Sequence, residues 1–156
     1  MTATTHPATD RYLAPGWFTR HVFNRAIRRL TLMGVGVMGS RELRVVGRTS
    51  GQVRTTVVNE LEVGGQRYLV APRGATQWVR NVRAAGGGEL RVGRRVEAFR
   101  AEELADGERK VAVLQAYVAR WRWEVGQFFA GVDVDDPAAL AGVAADYPVF
   151  ALAPAA

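Results

Sequence analysis

Between Glu42 and Ala71 the chain passes through three β-favouring runs with no helix-length segment between them. "ELRVVG" leads through a bend around Gly47 and Gly51 into "RTTVVNELEV", and Gly64-Gly65 leads on into "QRYLVA". A two-residue Gly-Gly connection flanked by β-branched residues is a hairpin signal. Further along, "TQWVRNVRAA" reads as a short helix stopped by "GGG", and "ELRV" and "RVEAFRAEEL" as a second hairpin turned at Gly93. A longer helix is expected over residues 107–129, another in "DPAALAGVAA" with Asp136 near its start, and a closing strand in "YPVFAL". No βαβ alternation occurs, which disfavours a doubly wound parallel sheet. The expected fold is α+β: a mostly antiparallel sheet closing into a small barrel, with helices at its ends.

Ahead of the meander, Gly16 to Gly39 reads as an amphipathic helix, with Phe18, Val22, Phe23, Ala26, Ile27, Leu30 and Met33 at helical spacing. Its arginines fall mostly on another side. Such a helix either packs on the sheet or, through residues 17–33, touches an anionic membrane surface. Residues 1–14 read as a flexible arm, and residues 15–156 as a single domain. A chain of this size buries roughly 70% of its unfolded surface, enough for one sizeable core.

The chain has no cysteine, and its only histidines are His6 and His21. Thiolate metal sites and disulfides are excluded, and no metal site is expected. No run of about 18 uncharged apolar residues exists to span a bilayer, and the N-terminus has no basic-then-apolar leader pattern. A cytoplasmic protein able to touch a membrane is the expectation.

The net charge of +6 is unevenly placed. Residues 41–100 carry twelve arginines against five glutamates, whereas residues 101–156 carry four basic against nine acidic residues. The positive centre lies in the meander. Nucleic-acid binding is disfavoured, because the aromatics do not interleave with the basic residues as a stacking platform would.

Two segments in that basic region carry chemistry. In "GRTSGQVR", Arg48, Ser50 and Arg54 surround Gly47 and Gly51. Glycine allows consecutive N–H groups to converge on an anion, a hydroxyl adds a donor, and guanidinium groups add charge and forked donors. The same stretch also reads as an ordinary hairpin with solvated charges. In "VAPRGATQWVRNVR", a strand runs into Pro72-Arg73-Gly74 and a helix starts at Thr76, whose hydroxyl is a candidate N-cap. Free N–H groups at a helix start favour an anion. Trp78 serves either as core or as cover for a flat ring, with Asn81 on the same helical side. Two anion-friendly bends and an aromatic cover suit a long ligand with a phosphate tail and a planar head.

With these segments in view, "GRTSGQVRTT", the Gly-Gly hairpin, "YLVAPRG", "WVRN" and "YPVFAL" resemble the deazaflavin-dependent nitroreductase and quinone-reductase family of high-GC Gram-positive bacteria. The resemblance covers residues 17–152 and is densest from 43 to 100. It implies a flavin-reductase-like split β-barrel and coenzyme F420, a deazaflavin with a phospholactyl-glutamate tail. It implies that Arg48, Thr49, Ser50 and Arg54 face the anionic tail. Thr55, Thr56, Val57, Val58 and Asn59 would run beneath the deazaflavin. Val70, Ala71, Pro72 and Arg73 would contact it through backbone and guanidinium, and Gln77, Trp78 and Asn81 would close the site. The implied activity is hydride transfer from reduced F420 to a quinone or another electron-poor acceptor. The alternative is a non-catalytic deazaflavin- or lipid-binding protein of the same fold. Tyr117 and Tyr147 are candidate proton donors, each also readable as structural. The chain departs from many relatives in its short lid, with only Ala75, Thr76 and Gln77 between Gly74 and Trp78.

Overall fold

A computed structural model describes residues 39–155. The N-terminal arm and the expected amphipathic helix, apart from its last glycine, lie outside the described residues, as does the expected membrane contact through residues 17–33.

Six strands form a closed antiparallel barrel in the order β1-β2-β3-β6-β5-β4. The strands are β1 Ser40–Val46, β2 Val53–Val63, β3 Gln66–Val70, β4 Gly87–Val92, β5 Arg95–Glu103 and β6 Val149–Pro154. The helices are α1 Gln77–Ala85, α2 Glu108–Val125 and α3 Pro137–Val143. The three β-favouring runs thus form the expected meander: Leu43 pairs with Thr56 across β1 and β2, and Leu61 with Tyr68 across β2 and β3. β6 inserts between β3 and β5, placing Leu69 beside Phe150 and Ala101 beside Leu152. β1 then pairs with β4 at Leu43 and Leu90 to close the ring.

Alternation along the strands divides the apolar residues between two cores. Leu43, Val45, Val58, Leu69, Leu90, Phe99, Phe150 and Leu152 cluster with Val79 and Val82 of α1. This set contains residues of all six strands and fills the barrel, with α1 as its plug. Leu61, Tyr68, Val70, Val149 and Ala151 have the opposite parity and join Leu114, Tyr117, Val118 and Trp121 of α2 in a second core. Fully burying one such large side chain contributes about 1.5–3 kcal/mol.

The far end of the barrel is charged. Arg41, Glu60, Arg67 and Glu97 share the parity of the inward residues and form a chain of ion pairs: Arg41 to Glu60 at 3.2 Å, Glu60 to Arg67, and Arg67 to Glu97 at 2.9 Å. With Leu90, Val92 and Arg95 they line a cavity of about 470 Å³.

Three local readings change. Only Gly86 of the Gly-Gly-Gly run caps α1; Gly87 and Gly88 belong to β4. A Cβ on Gly87 would lie 2.1 Å from the Phe99 carbonyl oxygen, so the neighbouring strand admits no side chain there. The long helix ends at Val125 and continues as a 3-10 turn, Gly126–Phe129. Thr76 occupies the N-cap position of α1 with extended backbone, but its hydroxyl makes no capping bond. The Asp136 carboxylate does cap α3, accepting the Ala138 N–H at 3.0 Å.

Candidate functional site

The bend between β1 and β2 lies against the start of α1. Gly51 takes φ +71°, a left-handed conformation that glycine adopts without steric cost. The bend is closed by Gly47 N–H to the Gln52 carbonyl at 2.7 Å and Gly51 N–H to the Gly47 carbonyl at 2.9 Å. Gln52 N–H donates to Ser50 Oγ at 3.2 Å, which leaves the Ser50 hydroxyl proton available. Among the described residues the backbone N–H groups of Thr49 and Ser50 have no partner. Two consecutive free N–H groups in a glycine-bearing bend have the character of an anion nest.

α1 is tied to this bend through Arg48. Asn81 Oδ1 accepts the Arg48 backbone N–H at 3.1 Å and Nη1–H at 2.8 Å, and Gln77 Oε1 accepts the second Nη1–H at 3.0 Å. The Arg54 guanidinium, across the bend, makes no hydrogen bond or ion pair among the described residues.

Between the bend and α1 lies a cavity of about 590 Å³, lined by Val45, Gly47, Arg48, Thr49, Ser50, Arg54, Thr55, Thr56, Arg73, Thr76, Gln77, Trp78 and Asn81. Small-molecule sites typically span about 300–1,000 Å³. Ten of the residues expected at the site therefore meet around one space. The half-buried Trp78 lines it while its ring packs at 5.9 Å on Phe150 of the barrel core, so it is both core and wall.

Val57, Val58, Asn59, Val70, Ala71 and Pro72 are not among the lining residues. Val70 packs in the α2 core. The Asn59 carboxamide donates to Glu124 at 3.2 Å and accepts from Ser40 at 3.3 Å. Val45, Gly47 and Thr76 also line the cavity; Gly47 and Thr76 belong to the two anion-friendly bends of the sequence, and Val45 lies just ahead of them in β1, unmarked by any sequence signal.

Neither candidate proton donor lines the cavity. Tyr147 is buried, stacks on Phe129 at 4.2 Å and donates to the Phe128 carbonyl at 2.7 Å. Tyr117 sits 5.2 Å from the Trp121 ring; burial first, and then the Glu124 charge, raises its pKa well above the usual tyrosine range, against a hydrogen bond with Asn59. Among the described residues no cluster of three or more His, Cys, Asp or Glu side chains could hold a metal. None of the described helices is long and apolar enough to cross a membrane.

The donor set fits an elongated anionic ligand with a flat head. Three guanidinium groups, two free N–H groups and a serine hydroxyl suit phosphate or carboxylate oxygens, and Trp78 offers a flat apolar wall. Thr76 Oγ1 adds a buried hydroxyl with no partner among the described residues.

A family model described as F420H(2)-dependent quinone reductase matches residues 21–129. A solved F420-H2 dependent reductase shares the fold at a TM-score of 0.50 and 22% identity, covering 74% of this chain and 94% of its own. A protein of unknown function from Agrobacterium tumefaciens matches at a TM-score of 0.53 and 18% identity; the alignment covers 95% of this chain and 58% of that one. The haem storage protein HutZ of Vibrio cholerae matches at 0.55 and 10% identity, covering 85% and 89%. No curated protein sequence matches the chain.

Proposed function

The chain belongs to the F420H(2)-dependent quinone reductase family, and from that premise we propose that it is an oxidoreductase that binds coenzyme F420 in the cavity between the β1–β2 bend and α1. The observation that carries this reading is the convergence of Arg48, Arg54, Arg73 and the free N–H groups of the bend on one space walled by Trp78. Arg48, Ser50 and Arg54 hold the anionic tail through charge-assisted hydrogen bonds. Trp78 backs the flat head and keeps water from one side of it. The hydride that reduces a quinone or another electron-poor acceptor comes from the bound deazaflavin, while the chain supplies position and electrostatics.

One observation favours a second reading, a non-catalytic deazaflavin or lipid binder. The described cavity lining holds no Asp, Glu, His, Lys, Cys or Tyr to move a proton near neutral pH. Turnover of a quinone panel with reduced F420 separates the two readings.

The exposed Arg54 guanidinium makes no hydrogen bond or ion pair among the described residues. Arg54→Ala should therefore leave the melting temperature unchanged and weaken F420 binding by about 1.5–3 kcal/mol, the worth of a hydrogen bond to a charged group. Quenching of deazaflavin fluorescence on titration reads the affinity. An unchanged affinity would remove the bend from the site.

A further inference from the structure

Arg48 and Asn81 stand 33 positions apart in the chain, and one carboxamide oxygen holds two different groups of the arginine. Asn81 is 4% exposed, so this oxygen sits where an unmade hydrogen bond is costly. Together with Gln77, one helical turn earlier, it takes both hydrogens of Arg48 Nη1. The Nε–H and Nη2–H edge is left, and no other described residue bonds to it. That edge carries parallel donors at the spacing of two oxygens on a carboxylate or phosphate. The Arg48 backbone N–H is occupied too, which confines the free N–H groups of the bend to Thr49 and Ser50.

We propose that Asn81 is a positioning residue: it acts on the anion through Arg48, occupying Nη1 and the backbone N–H so that the Nε/Nη2 edge and the bend are presented preassembled to a pair of anionic oxygens. This rests on the cavity being the anion-binding site. A guanidinium held on one side by two acceptors loses less side-chain freedom on binding than an unrestrained one.

A double-mutant cycle on the full chain tests the idea. Wild type, Asn81→Ala, Arg48→Ala and the double variant are titrated with F420 by fluorescence quenching and with inorganic pyrophosphate by calorimetry. If Asn81 works through Arg48, Asn81→Ala weakens both probes about tenfold, and the double variant binds within about twofold of Arg48→Ala. Losses that multiply across the cycle overturn the proposal, because Asn81 would then touch the ligand itself or support the fold generally. Asn81→Ser, a smaller change at the same position, repeats the cycle should Asn81→Ala fail to fold, with the same two outcomes. Pyrophosphate bound without F420 ends the F420 reading and leaves the cycle to decide on Asn81. A wild type that binds neither probe overturns both.

Discussion

Thr76 carries the clearest unresolved cost among the described side chains. Its backbone has the extended geometry of an N-cap, φ −69° and ψ 175°, yet its buried hydroxyl neither caps α1 nor meets another partner. A buried hydroxyl without a hydrogen bond costs about 1–3 kcal/mol. Thr76→Val keeps the shape and removes the orphaned oxygen. We expect it to raise stability by about 1 kcal/mol, or about 2–4 °C in a chain of this size. Calorimetric melting of the ligand-free protein checks this, and a lower melting temperature would mean that the hydroxyl is satisfied. Residue types are readable in the sequence, and Arg48, Ser50, Arg54 and Arg73 do line one cavity. What each atom does is not. The rotamer that turns the Thr76 hydroxyl from its own helix is set by packing, and the bond from Arg48 to Asn81 spans 33 residues. The resemblance places Asn59 and Val70 beside a ligand, and only the structure shows that their side chains turn towards α2.

Among the elements, β4 shows where reading by composition stops. Three consecutive glycines end a helix as well as any signal can, and Gly86 does so. The next two are required by neighbouring strands: a Cβ on Gly87 would meet the Phe99 carbonyl of β5, and one on Gly88 would lie 2.7 Å from the Arg44 carbonyl of β1. Strand order is needed to see this, since β1 is more than forty residues upstream. Gly87→Ala should cost about 3 kcal/mol, the upper end of ordinary overpacking penalties, seen as a lower urea midpoint. Gly142, in α3, is the natural control, because a methyl group added there would meet no atom within 4 Å. The meander itself is legible because its period, its β-branched residues and its glycine turns all agree.

For the whole molecule, stability is shared between the barrel core and the α2 core, and Tyr117 links the second of these to pH. Its folded-state pKa lies above the unfolded value, chiefly through burial. Above about pH 10 the unfolded chain releases this proton while the folded one keeps it. The unfolded state then binds fewer protons, and stability falls as pH rises. Tyr117→Phe should remove that part of the alkaline loss, so the urea midpoint of wild type should fall relative to that of the variant as pH rises above about 10, with a constant difference below it. A constant offset across the whole range would show that Tyr117 does not titrate differently on folding. Closure of the barrel has a consequence of another kind. Each strand has a neighbour on both sides, but β2 meets β1 over Val53–Asn59 and β3 only over Glu60–Val63, so among the described residues the first half of β2 leaves a row of backbone amides outside the ladder. Growth of an intermolecular sheet, the usual route from a β-rich protein to a fibre, starts from such a row. The seam between β1 and β4, three residue pairs long from Glu42 to Arg44, would add two more edges if it opened, so the stretch ahead of Glu60 and this seam are where the fold has to guard against aggregation.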